Sequence, residues 1–279
     1  MPDTDPLVES YRERGYAIVR GFWPAGELAA LSATVDRVRA EAQREGRSFR
    51  HGNLFYRLGR TDGGPHVQMA QWPCWRFPEL DAFRTHPRFL ALLEPLIGRD
   101  IKQIIHQIHW KAGGGGSGGD FAWHQDSRSR RPASAYRNLA GSYVQTGLAI
   151  DPHGPESGGL RLIPGSHRLG DLHLRADEGV LGRPVSDADL RLAGLDPGEA
   201  VDLRLEPGDL ALWSPYTLHA SGENRSPHAR RFFINGYVSA ADCDRGEWAF
   251  RAGQPMPLPE KPSLVHYEAL PERPGPHFP

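Results

Sequence analysis

The fold is decided by the stretch Ile101-Lys-Gln-Ile-Ile-His-Gln-Ile-His-Trp-Lys111, where strand-like patterning replaces the helical patterning of the preceding residues. Side chains alternate between the two faces of a β-strand, so every second residue points the same way. One face of this strand would carry three polar side chains, those of Gln103, Gln107 and His109. A strand with such a face lines a polar space or lies at a sheet edge. We predict that it lines a polar space.

Downstream of this stretch, short apolar runs alternate with turns rich in Gly and Pro. Strands are predicted at about 142–150, 159–167, 201–206, 210–213 and 230–238, with a solvated excursion at 168–200. Upstream, the sequence predicts a strand at 16–23, a helix that begins at Pro24 and frays from Arg39, an ordered loop at 51–80, and a helix at 86–98. This order predicts a mainly β fold with flanking α-helices, either a β-sandwich or a jelly roll.

The composition bounds the class of protein. The chain has 279 residues, of which 39% are hydrophobic and 24% charged, and its formal net charge is −1. A near-neutral chain is not a general nucleic-acid or membrane binder, and no apolar run reaches the ~20 residues of a membrane span. Cys74 and Cys243 have no metal-binding spacing and are expected to be reduced thiols. We expect a cytoplasmic protein with no nucleic-acid or membrane partner and an unknown oligomeric state.

A candidate metal site begins at His124-Gln-Asp126, which follows a glycine run. On a strand, His124 and Asp126 would converge on one point. His219, at the end of a strand-turn segment, is the candidate third ligand. Two His and one carboxylate on one face of a metal leave open positions, as in non-haem Fe(II) oxygenases. Zn(II) could occupy the same ligands, so the ligands alone do not decide the metal.

An anion anchor is the feature that favours iron with a keto-acid cosubstrate. The planar guanidinium of Arg makes two charge-assisted hydrogen bonds to a carboxylate. Arg230 starts a strand shortly after His219, and Ser221 offers an additional donor. Arg231 would point to the opposite face. We predict that Arg230 and Ser221 bind the distal carboxylate of such a cosubstrate.

Together these residues resemble the phytanoyl-CoA dioxygenase family. The resemblance rests on five motifs in the family's order, which are His124-x-Asp126, Ile163-Pro-Gly-Ser-His167, Pro207-Gly-Asp209, His219 with Ser221 and Asn224, and Arg230. The segment Gly15-Tyr-Ala-Ile-Val-Arg-Gly21, followed by a helix, is also similar, so the match covers roughly residues 10–240. It implies a double-stranded β-helix (jelly roll, cupin-like), with Fe(II) and 2-oxoglutarate as cofactor and cosubstrate.

Carried over residue by residue, the resemblance implies iron ligation by His124, Asp126 and His219. It implies binding of 2-oxoglutarate by Arg230 and Ser221. The segment from His106 to Asp126 is also similar to the ectoine hydroxylase branch, in which the residues matching His109 and Phe121 help to form the cosubstrate pocket. Gln107 lies on the same predicted face and is a further candidate.

The substrate is expected to differ from ectoine. After Asp126 the sequence departs from that branch and reads Ser127-Arg-Ser-Arg-Arg131. We predict that Arg128 and Arg131 bind a small acidic metabolite, such as an amino acid, a phosphonate or a natural-product intermediate. Asp126 stands where related halogenases carry a small residue, which favours hydroxylation of an unactivated C–H bond over chlorination.

Two other classes of function stay open. A cupin-type metalloenzyme that does not use 2-oxoglutarate would share the jelly roll, but it normally needs a His-x-His pair and a Glu. A non-catalytic binding module on the same fold is the second alternative. For the oxygenase, we expect one domain over 1–279, with an N-terminal helical part at about 1–100, a jelly-roll core at about 101–240 and a Pro-rich tail at 254–279. Its partners would be a small-molecule substrate and O₂.

Overall fold

The computed structural model of the protein describes residues 4–61, 64–115, 120–172 and 185–263. Its helices are α1 (Thr4–Arg14), α2 (Ala25–Glu45), α3 (Pro78–Arg84), α4 (Pro87–Ile97), α5 (Leu139–Ser142) and α6 (Asp187–Leu192). Its strands are β1 (Tyr16–Val19), β2 (Phe49–His51), β3 (Leu54–Thr61), β4 (Gly64–Gln71), β5 (Ile101–Lys111), β6 (Phe121–His124), β7 (Tyr143–Ala149), β8 (Leu160–Leu162), β9 (Val201–Asp202), β10 (Leu210–Trp213), β11 (His219–Ser221), β12 (Arg230–Ser239), β13 (Glu247–Arg251) and β14 (Gln254–Pro255).

The strands form two antiparallel sheets. The large sheet has the order β1-β10-β7-β12-β5-β4-β3-β2, and β13 pairs with one end of β5 and with β14. The small sheet has the order β6-β11-β8-β9. Strands distant in sequence alternate between the sheets, which is the arrangement of a double-stranded β-helix. The predicted mainly β jelly roll is confirmed.

The helices cover the outer face of the large sheet. The apolar stripe of α2, represented by Val35 and Val38, joins Phe89 of α4 and the outward side chains Ile108 and Phe233 in one buried core. An amphipathic helix buries such a stripe against a sheet because apolar surface is removed from water there. The helices therefore cover the outer face of the large sheet, and its inner face is turned toward the small sheet.

Strand β5 divides its residues as the alternation predicts. Ile105, Gln107, His109 and Lys111 line a cavity on the inner side, whereas Ile108 and Trp110 belong to the core that includes the helices. The prediction that this strand lines a polar space, rather than lying at an edge, is confirmed for Gln107 and His109. Gln103 is fully buried on the same face and donates to Oδ1 of Asn235 instead.

The predicted loop at 51–80 is wrong, because most of this segment forms the strands β3 and β4. Their hairpin adds to the large sheet through β5, with Met69 opposite His109 and Gln71 opposite Gln107. Gly, Pro and Gln interrupt the alternation here, so the local sequence signal is weak. Hydrogen bonding to the edge of β5 stabilises these residues as strands, although their local sequence does not predict it.

Three other predictions are corrected. The helix from Pro24 does not fray at Arg39 but continues to Glu45, where Gly46 in the left-handed conformation ends it. The N-terminal hundred residues are not only helical, since they contribute β1–β4 to the large sheet. The excursion at 168–200 is not solvated throughout, because it contains α6, whose Leu190 is completely buried. Residues 173–184 of that excursion, and 264–279 of the predicted Pro-rich tail, lie outside the described residues.

Among the described residues, no helix combines the length and the apolar character that crossing a membrane requires.

Candidate active site

The two sheets enclose a cavity of about 310 Å³. His124 ends β6, Asp126 begins the following short 3-10 turn, and His219 starts β11. Strands β6 and β11 pair so that His219 lies directly opposite His124. One ligand atom from each of His124, Asp126 and His219 lies within 4.8 Å of the others. The structure thus brings together the three residues that the sequence predicts as metal ligands.

Hydrogen bonds set the orientation of both imidazoles. Nδ1 of His124 lies 2.8 Å from the carbonyl oxygen of Ala122, and Nδ1 of His219 lies 2.8 Å from that of Thr217. A carbonyl only accepts, so each Nδ1 carries the proton and each Nε2 keeps its lone pair for a metal. Such a set of two imidazole nitrogens and one carboxylate fits Fe(II).

The charge states of two of these residues suit metal binding. Burial lowers the pKa of His124, and the neighbouring His219 lowers it further. Burial alone would raise the pKa of Asp126, but the nearby His219 and the charge of Arg130 outweigh burial, and the pKa is lowered overall. Trp213 also donates from Nε1 to Oδ2 of Asp126, at 3.0 Å. Asp126 is therefore ionised and His124 neutral at neutral pH, the forms that ligate a metal.

Gln125, between two of the ligands, fixes the backbone that carries them. Its side chain is almost wholly buried and donates to the carbonyls of Gly170 and Tyr216, while it accepts from the amide of Leu172. These contacts make Gln125 a positioning residue. The sequence reasoning did not single it out, although its place between His124 and Asp126 was the available signal.

At one end of the cavity lies a buried guanidinium that has no counter-ion among the described residues. Arg230 is 4% exposed and donates to the carbonyls of Ser157 and Gly158, at 3.1 and 2.9 Å, and to Nδ1 of His153. No described carboxylate lies within ion-pairing distance of it. Burial lowers the pKa of Arg230 to about 10, so it stays charged. A buried cation of this kind favours an anionic ligand because nothing else in the described residues neutralises it.

Lys111 is a second cation at the same end and was missed as a ligand candidate. Its Nζ donates to Oγ of Ser221 at 2.8 Å and to the carbonyls of Gly158 and Gly222 at 3.0 and 2.6 Å. Burial lowers the pKa of Lys111 to about 6, with the charge of Arg230 as the next cause. The signal was present, since Lys111 lies on the same strand face as Gln107 and His109.

The remaining cosubstrate candidates also line the cavity. Nε2 of His109 lies 3.1 Å from Oε1 of Gln107, and its ring meets that of Phe121 at 5.8 Å between centroids. Burial and the charge of Arg230 lower the pKa of His109 to about 3, so its ring is neutral. His109, Gln107 and Phe121 therefore form a neutral wall between the metal ligands and the cationic end.

The arginines that follow Asp126 differ in whether they line the cavity. Arg130 lines the cavity and is 3% exposed. Of the described residues that line the cavity, none is Arg128 or Arg131, the two candidates predicted to bind substrate. The cavity instead receives two further arginines from the β2–β3 region, Arg50 and Arg57.

The family model for phytanoyl-CoA dioxygenase (PhyH) matches residues 11–232 of the chain. The chain belongs to this family.

Proteins of similar sequence and structure support the membership of this chain in the PhyH family. A probable alpha-ketoglutarate-dependent hypophosphite dioxygenase of Stutzerimonas stutzeri is 26% identical over 234 residues, which cover 82% of this chain and 77% of that protein. A methylphosphonate hydroxylase of Gimesia maris is 25% identical over 244 residues, covering 88% and 84%. The crystal structure of EctD from S. alaskensis with bound Fe has a TM-score of 0.69 at 17% identity, covering 99% of this chain and 89% of that chain. This PhyH protein is a 2-oxoglutarate-dependent non-haem iron dioxygenase.

Proposed function

We propose that this dioxygenase hydroxylates an unactivated C–H bond of a small acidic metabolite, with iron held by His124, Asp126 and His219. The observation that carries the proposal is the convergence of these ligands in the same cavity as the uncompensated Arg230. Asp126 within the ligand set supports hydroxylation over chlorination. The bound iron and 2-oxoglutarate supply O₂ activation, which converts the cosubstrate to succinate and CO₂ and the substrate to an alcohol.

The cationic end of the cavity is the proposed site of the distal carboxylate of 2-oxoglutarate. Arg230 supplies a positive charge, Lys111 a second one when it is protonated, and Ser221 a hydroxyl group that accepts a hydrogen bond from Lys111. Charge-assisted hydrogen bonds are worth about 1.5–3 kcal/mol each. We assign His109, Phe121 and Gln107 to the walls around the body of the cosubstrate.

The chain's other residues would orient the ligands and exclude water. Trp213 fixes Asp126 through its indole N–H. Leu160, Phe232 and Ile234 supply apolar walls. Charge interactions are stronger where such walls exclude water, because the local dielectric constant is low.

A small substrate fits the dimensions of the cavity. A volume of about 310 Å³ lies at the low end of the roughly 300–1,000 Å³ that small-molecule sites occupy, and here it must hold two organic molecules. Three arginines, Arg50, Arg57 and Arg130, line it in addition to Arg230, which supports an acidic substrate. The names of two relatives, which act on hypophosphite and methylphosphonate, point the same way. The roles of Arg128 and Arg131, and a cytoplasmic location, stay predictions.

The test is anaerobic addition of Fe(II) and 2-oxoglutarate, followed by visible absorption of the iron–keto-acid chelate. We expect a weak charge-transfer band in the wild type. In Arg230→Ala the concentration of 2-oxoglutarate needed for the band should rise at least about 100-fold, since two charge-assisted hydrogen bonds are lost.

Arg225→Ala is the matched control, because Arg225 is exposed in the turn before β12 and does not line the cavity. It should behave as the wild type. Absence of the band in the wild type, or an unchanged requirement for 2-oxoglutarate in Arg230→Ala, would contradict the proposal. Release of succinate that depends on O₂ then identifies substrates in a screen of small acids.

A further inference from the structure

The end of the cavity away from Arg230 contains a second buried arginine, Arg130. Strand β12 runs from Arg230 to Gly236, which pairs with Gln145 of β7, and two residues further to Val238, which pairs with Tyr143. At about 3.3 Å per residue, Gly236 is about 20 Å from Arg230 along the strand. Arg130 reaches this far end, where its Nη2 donates to the hydroxyl oxygen of Tyr143 at 2.8 Å.

Arg130 is buried and only partly satisfied. It is 3% exposed, and its Nε is buried without a hydrogen-bond partner among the described residues. No described carboxylate lies within ion-pairing distance. The charged group packs on the ring of Tyr143, at 5.0 Å from the centroid. A guanidinium buried in this way, with an N–H that has no partner among the described residues, is costly unless an acceptor completes it.

The neighbouring hydrogen bonds all direct donors toward the cavity. Because Tyr143 accepts from Arg130, its own hydroxyl proton goes to Oε1 of Gln145. That bond uses one lone pair of the amide oxygen of Gln145, a cavity-lining residue, whose N–H₂ group has no partner among the described residues. The Arg130–Tyr143–Gln145 cluster therefore offers a ligand a positive charge and N–H donors, which is the chemistry of an oxyanion site.

The cluster is also close to the metal ligands. Asp126 and Arg130 are joined by the 3-10 turn Asp126–Ser129, whose rise of about 2.0 Å per residue keeps their Cα atoms within about 8 Å. Trp213, which donates to Asp126, pairs with Gln145 across β10 and β7. An anion at the cluster would thus lie close to the metal ligands.

We propose that Arg130, with Gln145, binds the oxyanion group of the substrate, and that the substrate is a compact carboxylate or phosphonate whose oxidised carbon lies a few bonds from that group. This inference rests on the proposed function, because it assigns the substrate half of the same cavity. It separates the two anions by position, with 2-oxoglutarate at Arg230 and the substrate at Arg130.

The test measures binding of small oxyanion probes to the Fe(II)–2-oxoglutarate complex under anaerobic conditions. Saturating 2-oxoglutarate first fills the Arg230 end. Acetate and methylphosphonate, with acetamide as a neutral probe matched in size to acetate, are then titrated at up to millimolar concentrations, by calorimetry and by their effect on the charge-transfer band. We expect at least one anion to bind and acetamide not to bind.

Arg130→Gln should weaken binding of that anion by about 10- to 100-fold, the range for loss of one charged hydrogen bond. Arg130→Lys, which keeps the charge, should restore part of it. Arg137→Gln is the matched control, since Arg137 lies in the same loop but is exposed and paired with Asp244. The charge-transfer band should be unchanged in Arg137→Gln and should still form in both Arg130 variants, which also shows that they fold.

Several outcomes would overturn the inference. The first is that Arg130→Gln binds the anion as tightly as the wild type does, and the second is that Arg128→Gln, rather than Arg130→Gln, loses anion binding. The third is that acetamide binds as tightly as the anions. The fourth is that no anion binds to the wild-type complex. Failure of the band in the wild type would instead contradict the proposed function. The two failures are therefore distinguishable.

Discussion

Two cations lie side by side at the proposed cosubstrate end, and they differ in how firmly they keep their charge. Arg230 is charged throughout the physiological range, with a pKa of about 10. Lys111 has a pKa of about 6 because of burial and of the charge of Arg230. Without a ligand, Lys111 is therefore mostly neutral at pH 8, and the site carries about one positive charge. A dicarboxylate that binds there would stabilise the protonated lysine.

We predict that binding of 2-oxoglutarate takes up a proton through Lys111. Above about pH 6 the affinity should fall as the pH rises, by up to tenfold per pH unit, until the raised pKa of the bound state is reached. Calorimetry at pH 8 in two buffers with different ionisation enthalpies measures the uptake, which should approach one proton. Lys111→Met, which keeps an unbranched stem, should bind more weakly and with no uptake. Equal uptake in both proteins would contradict this role.

The same pKa affects stability with a definite sign. The unfolded chain has Lys111 at its ordinary value of 10.5, and the folded protein has it at about 6. Between these values the unfolded state binds more protons, so this residue makes the free energy of unfolding rise with pH. Its contribution is complete above the unfolded pKa and is lost as the pH falls through the folded pKa.

At the scale of elements, the turn between β7 and β8 fixes both cations. The carbonyl oxygen of Gly158 accepts from Arg230 and from Lys111, at 2.9 and 3.0 Å. Gly158 adopts a φ of 65°, and a Cβ there would lie 2.4 Å from the carbonyl oxygen of Gly222. The turn therefore requires glycine for two reasons, its left-handed backbone and its close approach to the segment after β11.

Gly158→Ala should lower both stability and cosubstrate affinity. The left-handed backbone alone disfavours Ala by about 1–2 kcal/mol, and the clash adds to that, so we expect a loss above about 2 kcal/mol in urea unfolding. Displacing the shared carbonyl should weaken 2-oxoglutarate binding as well. Gly194→Ala is the control, since Gly194 has a φ of 79° with open space around its Cβ position. It should lose only the backbone contribution and keep its affinity; the opposite ranking would refute this account of the turn.

At the scale of the whole molecule, one buried arginine connects parts of the chain that are far apart in sequence. Arg84 at the end of α3 is fully buried and ion-paired with Asp81, at 2.6 Å. It also donates to the carbonyls of Trp248 in β13 and of Met256 near the end of the described chain. The helical layer, the large sheet and the C-terminal segment thus meet at one side chain.

We predict that Arg84→Met lowers the free energy of unfolding by about 3–5 kcal/mol, because it leaves Asp81 unpaired and two carbonyls without donors. Chemical denaturation followed by tryptophan fluorescence measures the loss. The matched variant is Arg37→Met, which removes a solvent-exposed pair with Glu79 and should cost only about 0–1 kcal/mol. Similar losses in the two variants would show that Arg84 does not connect these layers as described.

Much of the fold and site was predictable because the relevant signals are local. Alternation along 101–111 predicted a strand with an inward polar face, and the helical stripes of α2 and α4 predicted a covering layer. His124-x-Asp126 placed two ligands on one short segment. The prediction of a loop at 51–80 was wrong because β3 and β4 are stabilised as strands by pairing with β5. That pairing is a long-range contact, which no local sequence pattern indicates.

The sequence by itself determined the residue types of the site, namely two imidazoles, a carboxylate and an anchoring arginine, together with the mainly β class that presents them. Only the tertiary structure decided which polar residues face the cavity and which of them have no counter-ion among the described residues. It placed Lys111 beside Arg230, and it made Arg130 a cavity-lining residue, whereas Arg128 and Arg131 are not among the described lining residues. The physical reason is that strand periodicity fixes a side chain's face locally. Burial and pairing, in contrast, depend on strands that meet only when the two sheets close on each other.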